Sequence, residues 1–163
     1  MDLQLRKEES ALTRVGIIGT GRMGNAFGLN LLKASHEVHV YDVTPAASQN
    51  LIQHGAIAAK SPKDMAAVVD FLILSLPKSE IVEEVIIGPG GLKKYLRPGS
   101  VVIDMSTTHP RVTKIIASEL AKSGIDFLDS PVSGHVVGAT NATLTIMVGG
   151  GKEAFLKSKG PIL

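Results

Sequence analysis

The stretch VGIIGTGRMG, residues 15–24, decides the predicted fold of this chain. Its opening run is apolar, which is typical of a strand buried on both faces of a sheet. A G-x-G-x-x-G run follows, and Met23, Phe27 and Leu31 then recur at helical spacing. We therefore predict a buried strand over residues 15–19, a sharp turn, and a helix over residues 21–34.

Outward from this stretch, short apolar runs alternate with helical segments. The predicted strands cover residues 15–19, 38–41, 56–58, 71–75, 101–104, 126–129 and 143–148. The predicted helices cover residues 21–34, 45–54, 79–87 and 110–122, another helix begins at residues 61–64, and a loop covers residues 134–142. Apolar strands separated by helices indicate βαβ units and a parallel sheet. The predicted class is α/β: Rossmann-like, doubly wound, mostly parallel, with helices on both faces.

Length and composition exclude several classes of protein. At roughly 100–200 residues per domain, 163 residues predict one domain over residues 13–163, after an N-terminal extension over residues 1–12. The chain contains no cysteine, which excludes a disulfide framework and thiolate chemistry. A net charge of +2 argues against a nucleic-acid partner. No apolar run approaches the ~20 residues of a membrane span, and residues 1–10 do not form a secretory signal, so we expect a cytoplasmic protein.

The glycine run carries chemical meaning because it lies between a predicted strand and a predicted helix. Gly19 permits the tight turn, Gly21 lets the backbone approach a pyrophosphate, and Gly24 lets the helix pack closely on the sheet. The free N–H groups at the start of the helix attract phosphate. This context predicts a dinucleotide-binding site, with an ordinary strand–helix corner as the alternative.

An acidic residue ends the second predicted strand. Asp42 lies 18 residues after Gly24, close to the ~20 residues expected of a carboxylate that binds the ribose hydroxyls. Since a carboxylate there repels a 2′-phosphate, we expect NAD, with NADP disfavoured. The alternative is that Asp42 only caps the helix that begins near Pro45.

Three further segments join the glycine run in a pattern that resembles a known family. They are Ser75-Leu76-Pro77, the run DMSTTHP over residues 104–110, and the run FLDSPVSG over residues 127–134. Together the four motifs resemble the N-terminal cofactor domain of the β-hydroxyacid dehydrogenases. That family includes 3-hydroxyisobutyrate dehydrogenase, tartronate semialdehyde reductase and the cofactor domain of 6-phosphogluconate dehydrogenase. The resemblance covers about residues 13–163.

The resemblance implies a role for the residues of each motif. The implied cofactor-binding residues are Gly19, Thr20, Gly21, Arg22, Met23, Gly24, Asp42, Leu76, Pro77 and Thr107. Ser106, beside Thr107, and the pair Ser133 and Gly134 are the implied substrate-binding residues. Taken singly, the three later segments also fit a plain strand exit, a helix start at residues 104–110, and an ordinary turn.

Two positions depart from the family pattern, which has glycine where this chain has His135 and Ala142. If the backbone needs positive φ at either site, the side chain costs about 1 kcal/mol or more. We add His135 to the substrate-binding candidates, as an acid–base or carboxylate-binding group. An exposed loop histidine is the alternative.

The same resemblance implies hydride transfer between nicotinamide and a short 3-hydroxyacid, with a lysine as the proton carrier. That lysine and a helical second domain are expected beyond Leu163, and Lys157 and Lys159 do not match its motif. We therefore predict no catalytic residue within this chain, which is expected to be the cofactor domain of an NAD-dependent 3-hydroxyacid dehydrogenase, similar to 3-hydroxyisobutyrate dehydrogenase. The alternatives are a non-catalytic NAD(H)-binding module that acts through a partner, and an imine-reducing relative.

The remaining predictions concern metals and partners. The four other histidines show no metal-ligand spacing with carboxylates, so no metal is expected. These histidines are His36, His39, His54 and His109. We expect a small-molecule hydroxyacid as substrate, and self-association into a homo-oligomer is compatible with the apolar face that such a domain exposes.

Overall fold

A central sheet with helices on both faces organises the computed structural model, which describes residues 13–162. The strands are β1 Arg14–Ile18, β2 Glu37–Tyr41, β3 Ile57–Ala58, β4 Phe71–Leu74, β5 Val101–Asp104, β6 Asp126–Asp129, β7 Val132–Ser133, β8 Thr145–Ile146 and β9 Gly149–Gly150. The α-helices are α1 Arg22–Lys33, α2 Gln49–Gln53, α3 Pro62–Ala66, α4 Ser79–Ile87, α5 Pro110–Ala121, α6 His135–Thr140, α7 Lys152–Lys157 and α8 Lys159–Ile162. Two 3-10 helices cover Pro45–Ser48 and Leu92–Lys94.

The strand order of the seven-stranded sheet is β3-β2-β1-β4-β5-β6-β9. All neighbouring pairs are parallel except β6 and β9. The chain order runs outward in both directions from the β1–β4 pair, which makes that pair the topological switch point. Ligands of open α/β sheets bind at the carboxyl ends of the strands beside such a point.

The central strands are buried on both faces because their residues are apolar at successive positions. Val15 and Ile17 of β1 and Leu72 and Leu74 of β4 are all 0% exposed. One face of the sheet packs against α1, and the other packs against α4 and α5. The predicted doubly wound α/β fold is confirmed.

Several predicted elements agree with the structure to within a residue or two. The helix predicted over residues 45–54 is a 3-10 turn, Pro45–Ser48, that continues as α2. At the start of α3, the Asp64 N–H donates to the Ser61 hydroxyl oxygen at 3.2 Å, and that hydroxyl donates to the Asp64 carboxylate at 2.7 Å. The helix start expected at residues 61–64 is therefore present.

The prediction for residues 134–148 is wrong in two respects. The expected loop contains the helix α6, and the expected six-residue strand contains only β8, which pairs with β7 in a separate two-stranded sheet. The α6 sequence HVVGAT is rich in β-branched residues and glycine, which have low helix propensity, so no helical pattern is visible. Its packing on α1 instead stabilises the helix, where the Asn30 side-chain amide donates to the Ala139 carbonyl at 2.7 Å.

An acidic residue joins two arginines at the amino-terminal edge of the sheet. The Asp70 carboxylate accepts hydrogen bonds from the Arg14 Nη2 at 3.0 Å and from the Arg97 Nη2 at 2.8 Å. Burial raises the pKa of Asp70, but the hydrogen bonds from the two arginines outweigh it and leave this pKa below its ordinary value. This cluster ties β1, β4 and the segment before β5 together on the side of the sheet opposite to the strand exits.

The N-terminal extension predicted over residues 1–12 lies outside the described residues. Within residues 13–162, no helix has the length and apolarity needed to cross a lipid bilayer.

Candidate functional site

A cavity of about 960 Å³ opens at the carboxyl ends of the parallel strands. Its walls come from the exits of β1, β2, β4 and β5 and from the segment that begins at β7. The residues of the predicted motifs that line it are Gly19, Gly21, Arg22, Met23, Asp42, Leu76, Pro77, Ser106, Thr107, Ser133, Gly134 and His135. Segments far apart in sequence therefore meet in one site.

The three glycines of the turn occupy different surroundings. Gly19 has φ +89°, and a Cβ atom there would lie 2.2 Å from the Ser75 carbonyl oxygen. A Cβ atom on Gly24 would lie 1.9 Å from the Gly19 carbonyl oxygen, so the backbone of α1 and the turn are in close contact. A Cβ atom on Gly21 would meet nothing within 4 Å. Two glycines are required by the fold, whereas Gly21 borders open space.

The start of α1 faces the cavity without a capping side chain. Gly21 is the N-cap residue, and no acidic residue lies in the first turn. The first N–H groups of a helix have no partner within the helix, and they form the positive end of its dipole. Arg22, which is exposed, adds a positive charge beside them. The arrangement favours a phosphate group at this point of the cavity.

Thr20 lies differently from the other residues of the glycine run. It is 2% exposed and does not line the cavity. Its hydroxyl is 2.9 Å from the Ser48 hydroxyl and 3.4 Å from Oδ2 of Asp42. The Thr20 side chain therefore supports Asp42 from the buried side, and Ser48 was not predicted as its partner.

Asp42 is held by two backbone groups at the edge of the cavity. Its Oδ2 accepts from the Thr20 N–H and its Oδ1 accepts from the Thr44 N–H, both at 2.8 Å. The N-cap of the following 3-10 helix is Thr44, not Asp42. Each carboxylate oxygen keeps acceptor capacity for a further hydrogen bond. The carboxylate thus stabilises the turn before this helix without capping the helix, as the alternative interpretation required it to do, and it borders the cavity.

The exits of β4 and β5 are joined by a hydrogen bond between side chain and backbone. Ser106 is 5% exposed, and its hydroxyl oxygen accepts from the Leu76 N–H at 2.9 Å. Thr107, the next residue, is exposed at the cavity wall. The helix start at residues 104–110 is also present, because His109 caps α5 through its Nδ1.

The segment after β7 contains unusual backbone conformations. Gly134 has φ +129°, and His135 and Ala142, at either end of α6, both have φ +54°. Positive φ is strained for residues with a Cβ atom. The backbone therefore has positive φ at both positions where this chain departs from the family's glycine. His135 lines the cavity with Ser133, whereas Ala142 lines a second, mainly apolar cavity of about 610 Å³.

Several cavity residues were not predicted from the sequence. Apolar side chains extend the wall from the exit of β2 to α4; they are Val43, Pro62, Ile81 and Val85. Val43 is 88% exposed, and nothing in the sequence beside Asp42 indicates that this valine lines a cavity. Within the described part of the chain, no three His, Cys, Asp or Glu residues come together as a metal site.

A family model for the NAD binding domain of 6-phosphogluconate dehydrogenase matches residues 14–163. The chain belongs to this family. Its membership bears out the resemblance carried by the four motifs, and it agrees with NAD as the predicted cofactor. The match covers every strand and helix that surrounds the cavity.

Curated relatives of this NAD-binding domain are hydroxyacid dehydrogenases and reductases. The 2-(hydroxymethyl)glutarate dehydrogenase of Eubacterium barkeri is 40% identical over 92% of this chain and 50% of its own length. The mitochondrial 3-hydroxyisobutyrate dehydrogenase of Bos taurus is 42% identical over 88% of this chain and 43% of its own length. The 2-hydroxy-3-oxopropionate reductase of Escherichia coli is 36% identical over 90% and 50%. The chain spans about half the length of the curated relatives it matches.

Solved structures agree with this assignment. The 3-hydroxyisobutyrate dehydrogenase of Mycobacterium tuberculosis, solved with L-serine, superposes with a TM-score of 0.88 at 30% identity, over 93% of this chain and 51% of the other. Psf3, solved in complex with NADP+ and 2-OPP, gives a TM-score of 0.86 at 32% identity, over 91% and 53%. A Streptomyces aurantiacus imine reductase shares the fold at 23% identity, with a TM-score of 0.82 over 91% and 51%.

Proposed function

We propose that the cavity at the strand exits binds NAD(H), and that the chain serves hydride transfer between the nicotinamide and a short 3-hydroxyacid. The observation that carries the proposal is the glycine turn. A Cβ atom added at Gly19 or Gly24 would lie within 2.5 Å of a backbone carbonyl oxygen, whereas Gly21 leaves open space at an uncapped helix N-terminus. A cofactor pyrophosphate fits that space and that charge.

The proposed cofactor contacts follow the cavity wall from one end to the other. The backbone N–H groups of Arg22 and Met23 bind the pyrophosphate, and the Asp42 carboxylate accepts from the ribose hydroxyls. Leu76, Pro77 and Thr107 lie along the nicotinamide half. Bound there, NAD supplies the hydride acceptor or donor. Thr20 acts through its hydrogen bonds to Asp42, because its side chain is buried away from the cavity.

The preference for NAD over NADP rests on the charge at Asp42. Its two carboxylate oxygens are held by backbone N–H groups at 2.8 Å, so the charge cannot turn away from the ribose. A 2′-phosphate beside this carboxylate would bring two negative groups together. Psf3, by contrast, was solved with NADP+.

The proposed substrate end of the cavity is formed by Ser133, Gly134 and His135, with Ser106 next to the nicotinamide half. Ser133 offers a hydroxyl group and His135 an imidazole, both suited to a substrate carboxylate. The similarity to 2-(hydroxymethyl)glutarate dehydrogenase and 3-hydroxyisobutyrate dehydrogenase supports a short hydroxyacid as the proposed substrate class. We propose that the proton carrier, a lysine, lies outside the described residues. A cytoplasmic location and a homo-oligomeric state stay predictions.

Calorimetric titration of the chain with NADH and NADPH tests the cofactor. We expect NADH to bind with higher affinity than NADPH, and no detectable binding at millimolar NADH would overturn the proposal. The substrate is tested with the full natural protein, by following NAD+ reduction with 3-hydroxyisobutyrate, 2-(hydroxymethyl)glutarate and L-serine. Cofactor binding without oxidation of any hydroxyacid would favour the non-catalytic module instead.

A further inference from the structure

A buried acidic side chain lies beneath the cavity wall, outside the set of predicted binding residues. Asp104 ends β5 and is 0% exposed. No arginine, lysine or histidine forms an ion pair with it among residues 13–162. Burying a carboxylate without a cation is costly unless it is hydrogen-bonded. The groups that this buried carboxylate binds should therefore explain its position.

Both oxygens of the Asp104 carboxylate accept hydrogen bonds from the segment that follows β5. Oδ1 accepts from the Ser106 N–H at 3.0 Å, and Oδ2 accepts from the Thr108 hydroxyl at 2.6 Å. These donors stand on either side of Thr107, which is exposed at the cavity wall. One carboxylate therefore fixes the segment on both sides of the residue that faces the cavity.

The same contacts reach the neighbouring strand exits. The Ser106 hydroxyl oxygen accepts from the Leu76 N–H at 2.9 Å, which ties the exit of β4 to that of β5. The Asp104 carbonyl accepts from the Ser130 N–H at 2.8 Å, which ties on the exit of β6. Asp104 lies at the centre of the contacts that join three adjacent strand exits.

We propose that Asp104 is a positioning residue that holds Thr107 and Leu76 against the nicotinamide half of the bound dinucleotide. It does not touch the cofactor, since its side chain is fully buried and does not line the cavity. This inference rests on the proposed function, because the nicotinamide is placed at these strand exits only if the cavity binds NAD(H). It adds a buried carboxylate and the hydroxyl of Thr108 to the residues on which that binding depends.

Two ligands separate a positioning role from general stability. ADP-ribose contains the adenosine and pyrophosphate contacts of NADH and lacks the nicotinamide. Loosening the segment over residues 105–108 should therefore lower the affinity for NADH and leave the affinity for ADP-ribose unchanged. A role confined to the stability of the fold would change both affinities together or neither of them.

The experiment uses a matched pair of variants at Thr108, each titrated with NADH and with ADP-ribose. Thr108→Val keeps the shape and removes the hydroxyl that donates to Asp104, whereas Thr108→Ser keeps that donor. We expect Thr108→Val to bind NADH about tenfold more weakly, because residues 105–108 are then no longer held in place and must be ordered when the nicotinamide binds. The affinity for ADP-ribose should stay within about twofold of wild type. Thr108→Ser should restore NADH affinity.

Asp104→Ala removes both acceptors and should weaken NADH at least as much as Thr108→Val does. Asp104→Ala also opens a cavity in the core. If this variant does not fold, the two Thr108 variants alone test the positioning role. Equal losses for NADH and ADP-ribose, or no loss in Thr108→Val, would overturn the positioning role. If the wild-type chain bound neither ADP-ribose nor NADH at millimolar concentration, the proposed function would be overturned, and the inference with it.

Discussion

The Thr20 N–H donates to Oδ2 of Asp42 at 2.8 Å, and this hydrogen bond joins the glycine turn to the exit of β2. The Thr20 hydroxyl supports the same oxygen at 3.4 Å and contacts the Ser48 hydroxyl at 2.9 Å. The phosphate-facing turn and the ribose-facing carboxylate are thus held in one arrangement. The identity of the side chain at residue 42 should decide which dinucleotide fits.

We expect Asp42→Asn to lower the affinity for NADH and to raise the affinity for NADPH. The substitution removes the negative charge that accepts from the ribose and repels a 2′-phosphate, so NADH should bind about tenfold more weakly. Calorimetry with both cofactors measures the ratio of the two affinities. Asp126→Asn is a charge-matched control, because Asp126 lies at the amino-terminal end of β6, and the cavity lies at the carboxyl ends of the strands. An unchanged ratio in Asp42→Asn would mean that Asp42 does not read the ribose.

Alanine at two glycines of the turn should separate binding from folding. At Gly21 a Cβ atom meets nothing within 4 Å, so Gly21→Ala should keep the thermal midpoint and lose NADH affinity, since the methyl group enters the pyrophosphate space. At Gly24 a Cβ atom would lie 1.9 Å from the Gly19 carbonyl oxygen, so Gly24→Ala should unfold at a lower temperature. Its loss of stability should exceed about 2 kcal/mol, since backbone atoms must move.

Thermal melts and NADH titrations of the two alanine variants give the result. If Gly21→Ala bound NADH as tightly as wild type, the cofactor would not approach the turn at this point. If Gly24→Ala were as stable as wild type, the close contact between α1 and the turn would be looser than the structure has it.

Two kinds of feature could be predicted from the sequence. They are elements with a regular apolar pattern and positions that only one residue type can occupy. Continuous apolar runs predicted β1, β4 and β5, because a strand buried on both faces needs apolar residues at successive positions. Gly19 and Gly24 could be predicted from the motif, since contacts this close exclude every other residue. His135 and Ala142 could be singled out only through the family pattern, because positive φ leaves no mark on the residues themselves.

The parts that could not be predicted depend on contacts between distant segments. The helix α6 lacks helical periodicity and is stabilised by packing on α1, including the Asn30–Ala139 hydrogen bond. Ser48 reads as an ordinary helix residue until the fold brings it to Thr20. The sequence shows Asp104 only as part of a motif, because its full burial and its two donors depend on the three-dimensional fold.

Glycine at the two strained positions should stabilise the fold equally but affect the ligand differently. His135 and Ala142 both have φ +54°, so His135→Gly and Ala142→Gly should each raise the free energy of unfolding by up to about 1 kcal/mol. Only His135 lines the proposed substrate end of the large cavity. In the full natural protein, His135→Gly should therefore change the relative kcat/KM values among hydroxyacids, and Ala142→Gly should not.

Urea unfolding of both variants and a panel of hydroxyacids check this prediction. An unchanged substrate profile in His135→Gly would make His135 a bystander at the cavity wall. Equal changes in both variants would mean that α6 as a whole, and not the imidazole, determines the profile.

The arginine cluster at the opposite edge of the sheet should make stability depend on pH through Asp70. Burial of this carboxylate raises its pKa, but hydrogen bonds from Arg14 and Arg97 outweigh burial and lower it overall. An acid whose pKa is lower in the folded state stabilises the fold above its unfolded pKa, about 3.9. That contribution is lost as the pH falls through the folded-state pKa.

We expect Asp70→Asn to be less stable than wild type at pH 7, because it loses the ion pairs with Arg14 and Arg97. The loss should be only about 1 kcal/mol, since the carboxylate is partly exposed and its ion pairs are screened by solvent. The difference should persist down to the unfolded pKa of about 3.9 and shrink below it. Asp104, whose pKa is raised by burial, has the opposite dependence, but it is present in both proteins and cancels in the difference. Urea unfolding at several pH values measures this difference, and a value that stays constant into acid would show that Asp70 does not act through its charge.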